Sequence, residues 1–266
     1  MIGPTHARLD AGAAFFIQPH YDDVALSCGA TAAAFARAGH VPHIVTVFAS
    51  EVLEQMVGEF ASWKHARWKL SDPDAVLAAR RDEDAAAARA LGCSIRWLGL
   101  PDAIYRGDRY TSDAELYGCL HPDECALADH LATELLNLPE WRSGARVFVP
   151  LGVGSHVDHQ LVFEAGRRLA RSGVEVWAYE DCPYAIHTPA GVEARLKSVE
   201  GAVGSELLFE VSSGLDAKLD AIARYSSQLP VIFRFTNDWR GAVLEHARSL
   251  SSVGGAAERF WPVVGR

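Results

Sequence analysis

Ala13-Ala14-Phe15-Phe16-Ile17-Gln18-Pro19-His20-Tyr21-Asp22-Asp23 is the stretch on which the fold turns. Its apolar opening, Ala13–Ile17, reads as a short strand, and a helical segment follows from about Asp22 to Ala38. The same order recurs along the chain. His43–Ala49, Ser94–Leu98, Arg146–Pro150 and Val174–Tyr179 read as further strands. Between them lie an Ala-rich helix over Ala75–Leu91 with Gly92 as its C-cap, a helix over Cys125–Leu136, and one over His159–Ser172 closed by Gly173. After Pro183 the pattern loosens, with helices expected over Asp216–Tyr225 and Arg240–Leu250. Strands separated by helices of about a dozen residues specify βαβ units. The expected fold is α/β, with a mostly parallel central sheet flanked by helices, in a single domain over residues 1–266.

In such sheets ligands bind outside the carboxyl ends of the strands. Two of those ends carry unusual chemistry. The first strand runs into His20-Tyr21-Asp22-Asp23, and the fourth into Gly152-Val153-Gly154-Ser155-His156-Val157-Asp158-His159. His20 and Asp23, three residues apart at a helix start, can face one point, as can His156 and His159. A catalytic metal needs about three nitrogen or oxygen ligands and an open position. Two histidines and a carboxylate satisfy that and leave a second carboxylate and imidazole for proton transfer and charge stabilisation. Each cluster alone has a plainer explanation, as N-cap and first-turn residues; two such clusters at two strand ends favour a metal site.

Composition excludes several classes. A net charge of −9 gives no basis for nucleic-acid binding. No apolar stretch approaches the roughly 18 residues of a membrane span, and Ala11–Ile17 lacks the features of a signal peptide. The five cysteines are scattered and form no C-x-x-C, which suits reduced thiols and a cytoplasmic location.

The two loops resemble the H-P-D-D and H-P-D-H signatures of the PIG-L/LmbE-like de-N-acetylases. Arg80-Arg81-Asp82-Glu83 before Leu91-Gly92 is similar to that family's R-x-x-E helix, and Leu98-Gly99-Leu100-Pro101-Asp102 to its L-G-x-x-D loop. Lys218 through Ser227-Gln228, and Glu258-Arg259-Phe260, resemble its closing segments. The resemblance implies that the α/β fold is a Rossmann-like three-layer sandwich, and it implies one Zn²⁺ per chain held by His20, Asp23 and His159, with Asp22 as general base. It implies that His156 stabilises the oxyanion, that Asp158 orients an imidazole, and that Arg80 and Asp102 contact a sugar. The implied reaction removes an N-acyl group, in the first place acetyl, from an amino-sugar conjugate; a homo-oligomer is compatible with it. Tyr21 and Val157 replace the signature prolines, and Gly154 stands where some relatives have a tyrosine, leaving Tyr105 or Tyr184 to assist an oxyanion.

His121-Pro122-Asp123-Glu124 imitates the signature, but no strand precedes it and it reads as a helix start. Gly152-Val153-Gly154 lacks the third glycine of a dinucleotide loop, and Ser155 lacks a nucleophile elbow. Trp63, Trp68 and Trp97 are candidates for a sugar-stacking wall. A zinc amidase for a non-sugar conjugate and a non-catalytic sugar- or nucleotide-binding domain remain as alternatives, and iron(II) or cobalt suits the same ligands.

Overall fold

A computed structural model describes residues 12–68, 73–252 and 254–265; the side chain of Trp68 lies outside the described portion. Seven strands, β1 Ala14–Gln18, β2 His43–Thr46, β3 Ser94–Trp97, β4 Arg146–Pro150, β5 Glu175–Tyr179, β6 Leu207–Glu210 and β7 Ala257–Pro262, form one sheet in the order β3-β2-β1-β4-β5-β7-β6. The first five are parallel; β7 runs antiparallel to both β5 and β6. The mostly parallel sheet agrees with the sequence. The antiparallel strands β6 and β7 lie in the region where the sequence pattern loosens.

The helices are α1 Asp23–Arg37, α2 Glu59–Trp68, α3 Pro73–Leu91, α4 Asp113–Leu116, α5 Cys125–Leu136, α6 Val157–Arg171, α7 Tyr184–His187, α8 Ala190–Ser198, α9 Leu215–Arg224, α10 Leu229–Ile232 and α11 Trp239–Leu250. Helix α2 falls in a segment whose charge and tryptophans give no clear period. Helix α6 starts two residues earlier than expected, because His156 itself is the N-cap.

The apolar run of β1 is buried at every position, as a strand covered on both faces requires. Phe16 stacks on Phe148 of β4 at 4.5 Å between ring centroids, and Phe148 meets Phe35 and Phe260 edge-on at 5.8 and 5.6 Å. These aromatic pairs tie α1, β1, β4 and β7 into one core. Because the chain leaves β1 towards β2 on one side and enters β4 on the other, the β1–β4 boundary is where strand order reverses. That boundary places the loops after β1 and β4 side by side at the carboxyl edge.

A buried carboxylate braces the other flank. Asp84 of α3, 1% exposed, accepts hydrogen bonds from Gln18 Nε2 at 3.0 Å, Thr46 Oγ1 at 2.9 Å, Trp97 Nε1 at 2.9 Å and the Tyr225 hydroxyl at 2.7 Å. It joins α3 to β1, β2, β3 and the end of α9. Burial raises its pKa, and the same four donors pull it back. Trp97 is thereby committed to the scaffold, while Trp63 stacks on Phe60 at the surface.

Asp84→Ala strips four buried donors of their acceptor and is expected to lower the unfolding free energy by about 3 kcal/mol. The reading is a reduced urea midpoint at constant m value; a midpoint equal to the parent's would show these bonds to be dispensable.

Candidate active site

Residue Asp22 precedes α1 and makes no capping bond. The amides there are met by others: Gln18 Oε1 accepts from the Val24 amide at 3.1 Å, and Asp23 Oδ2 from the His20 amide at 2.8 Å. A purely structural reading of Asp22 as a cap therefore fails. Its carboxylate is buried and faces the Arg80 guanidinium, with 3.7 Å between Oδ2 and Nη2. Burial and the neighbouring Asp23 push its pKa up to about 6, against the pull of Arg80.

His20, Asp23 and His159 converge as the sequence leads one to expect, their ligand atoms lying within 4.8 Å of one another. His159 Nε2 stands 3.5 Å from Asp23 Oδ1, and His20 Nδ1 stands 3.7 Å from Asp23 Oδ2. The far nitrogen of each ring is held by carboxylate. His159 Nδ1 donates to Asp181 Oδ1 at 2.7 Å. His20 Nε2 lies 3.0 Å from Asp158 Oδ2 and 3.3 Å from Asp102 Oδ2. With those nitrogens carrying the protons, the inward ones present lone pairs, as metal-binding imidazoles do. Asp102, expected at a sugar, thus touches His20, and its other oxygen accepts from the Ile104 amide at 3.2 Å.

Asp158 orients His20 rather than His156. Fully buried, it accepts 2.6 Å from Arg106 Nη1 and 3.1 Å from the Ala103 amide. Burial opposes its charge, but the Arg106 guanidinium holds it well below the usual carboxylate range. Arg106 is clamped in turn by Glu124, with Nε and Nη2 donating at 2.7 and 2.8 Å. Glu124 ends the His121–Glu124 segment, which is a helix start: His121 caps it and a 3₁₀ turn over Pro122–Glu124 leads into α5.

His156 caps α6, its Nδ1 accepting from the Asp158 amide at 3.2 Å. Burial, with His20 and His159 close by, outweighs the nearby Asp158 and pushes its pKa down to about 3. The ring is neutral, and since Nδ1 is an acceptor its proton sits on Nε2. Its ring meets those of His20 and Tyr117 edge-on at 5.0 and 5.3 Å.

The sequence singled out neither Arg106 nor Asp181. Asp181 lies just past β5, at another carboxyl end, and also accepts from the Gly152 and Val153 amides at 2.7 and 2.9 Å. Only that position could have flagged it. Tyr184 lines the same cavity, about 510 Å³ in volume, as the three histidines. Its ring fills the room left by Gly154, where a Cβ would stand 2.7 Å from Cδ1. Tyr105 instead pairs with His65, at 2.6 Å between hydroxyl and Nε2.

The donor set fits a metal dication. Asp22, Asp23, Asp102, Asp158 and Asp181 gather around the pocket, Arg80 facing Asp22 and Arg106 bound to Asp158, and a cation among them relieves buried negative charge. Among the described residues His20, His156 and Asp158 also come close enough to hold an ion, as do Glu180, Cys182 and His246. Both oxygens of Asp158 are already engaged, and Glu180 already holds Arg259 and His246. An α/β sheet carrying two imidazoles and a carboxylate beside a buried second carboxylate is the layout of a metal-dependent hydrolase.

Comparisons with known proteins agree. The pattern of PIG-L: GlcNAc-PI de-N-acetylase matches residues 15–170. A 2'-N-acetylparomamine deacetylase of Niallia circulans is 32% identical over 190 residues, 66% of this chain and 68% of that protein. One of Streptomyces fradiae is 32% identical over 228 residues, 83% of this chain and 75% of that protein. The crystal structure of the zinc inhibited form of teicoplanin deacetylase Orf2 superimposes with a TM-score of 0.77 at 27% identity, covering 95% of this chain and 98% of that one. The chain belongs to the PIG-L family, and like these relatives it is a deacetylase.

Asp181→Ala frees the His159 ring to turn and is expected to weaken metal binding about 10- to 100-fold. Competition dialysis against a chelator measures it; unchanged affinity would remove Asp181 from the site.

Proposed function

We propose that this protein is a zinc-dependent hydrolase that removes an N-acetyl group from an amino sugar or glucosaminyl conjugate. The observation that carries the reading is the arrangement of His20, Asp23 and His159 around one point, with Asp22 and His156 on its rim. Relatives named for N-acetylparomamine support the choice of an amino-sugar amide. His20 Nδ1, an Asp23 carboxylate oxygen and His159 Nε2 would hold the ion. A bound Zn²⁺ supplies Lewis acidity for an amide carbonyl and lowers the pKa of water to about 7.

The rest is done by the chain itself. Asp22 accepts a proton from the attacking water at its carboxylate and returns one to the departing amine nitrogen. Its burial beside Arg80 keeps it close to the pH at which both transfers are feasible. His156, neutral with its proton on Nε2, donates a hydrogen bond to the oxyanion as the tetrahedral carbon forms. It does so without a full positive charge beside the metal ligands. Asp158 and Asp181 fix the two liganding imidazoles, and Arg106 keeps Asp158 ionised. Arg80 and Asp102, at the edge of the cavity, face the sugar hydroxyls.

Two outcomes test this. Dialysis against a chelator should abolish amine release from N-acetylglucosaminides, and Zn²⁺ should restore it. Asp22→Asn should keep its metal, as measured by elemental analysis, while turnover falls on the order of 10²- to 10⁴-fold. Turnover near the parent's in that variant would overturn the assignment of the base.

A further inference from the structure

A second cavity of about 270 Å³ opens off the catalytic one. The two share Arg80, Asp102, Ile104, Gln228 and Val231, so these residues form a neck between them. On the metal side of the neck lie His20, Asp22, Asp23, His156 and His159. On the far side Tyr21, Phe48, Val52, Val76, Leu77 and Tyr105 make up most of the wall, with Ser50, His65 and Ser227 among them. The neck carries three polar side chains, Arg80, Asp102 and Gln228, beside the aliphatic Ile104 and Val231, with the Arg80 guanidinium lying over the Tyr21 ring at 4.9 Å and 3.7 Å from Asp22.

From the proposed deacetylase reading, on which this step rests, we infer that the second cavity is a subsite for an apolar aglycone attached to the amino sugar. The order of environments decides this. Moving out from the metal ligands, the pocket presents a place for the amide, then a neck that offers a guanidinium, a carboxylate and a carboxamide, then a chamber walled mainly by aromatic and branched side chains. An N-acetylated glycoside presents the same order: amide, sugar hydroxyls, aglycone. A long acyl chain reaching the chamber would instead draw its methylenes through the neck, past the Arg80 guanidinium, whose buried Nε has no partner within the described residues, and the Gln228 carboxamide, and offer them no hydrogen bond. The chamber suits a phenyl or short alkyl group, since its aromatic and branched side chains offer apolar surface that water covers poorly.

The test compares ligands on the purified full chain. Phenyl β-glucosaminide, which carries no acyl group and cannot be turned over, should bind on the order of 10- to 100-fold more tightly than methyl β-glucosaminide by titration calorimetry. Val76→Glu should bring the phenyl compound down to the affinity of the methyl one. In turnover, phenyl N-acetylglucosaminide should show the higher kcat/KM through a lower KM, whereas lengthening the acyl group of the methyl glycoside to hexanoyl should bring no gain. Equal affinity of the phenyl and methyl compounds for the unaltered protein would overturn the inference. So would a gain produced by the hexanoyl chain and not by the phenyl group. Failure to release amine from any glucosaminide would count against the deacetylase reading instead, and the affinity comparison, which needs no turnover, still reads the chamber.

Discussion

The carboxylate of Asp158 is shared between the Arg106 guanidinium and the His20 imidazole, with none of its surface exposed to water. A charge buried that deeply is expensive unless every lone pair is met. Here Arg106, His20 and the Ala103 amide meet them, and Glu124 secures Arg106 from behind. The result is one ionic chain running through the loops after β1, β3 and β4 and the start of α5. Those loops have no reason of their own to adopt one relative position. The shared carboxylate supplies it, and with it the angle at which His20 faces Asp23.

A second carboxylate does the matching work on the other side. Asp181 divides its oxygens between His159 and two successive backbone amides of the loop after β4. Each imidazole of the candidate metal site is thus held by an aspartate from a different strand end, and Asp23 stands between them. Asp22 is treated differently. Among the described residues it has no amide donor and only a distant guanidinium, and burial with Asp23 beside it raises its proton affinity, whereas the Arg106 guanidinium lowers that of Asp158. Adjacent residues of the same type acquire opposite tasks because one is satisfied by hydrogen bonds and its neighbour is not.

What could be read from the sequence follows from how local the signal is. Strands β1, β2, β4 and β5 are short, largely apolar or β-branched runs whose burial is written in their own residues, and the His/Asp clusters declare themselves because they follow such runs directly. Strands β6 and β7 escape because Glu210, Glu258 and Arg259 interrupt their apolar character. Glu258 makes sense only once Lys218 and Thr31 are beside it, and Arg259 only beside Glu180. Arg106 and Asp181 were missed for the same reason: their partners lie 52 and 22 residues away. Asp84, whose donors come from four separate elements, looks in sequence like any charge on a helix. The resemblance to the de-N-acetylases supplied an order of motifs, but not the division of Asp158 between His20 and Arg106.

The pairing of Gly154 with Tyr184 gives the pocket a split ancestry of parts. The ring that closes this wall is carried by α7, while the glycine that admits it belongs to the turn before α6. Floor and wall are therefore mounted on separate segments. Changes within α7 could reshape the entrance and leave the histidines where they are, so long as Asp181, in the segment before it, keeps its hold on His159, whereas any side chain at residue 154 would have to evict the ring first.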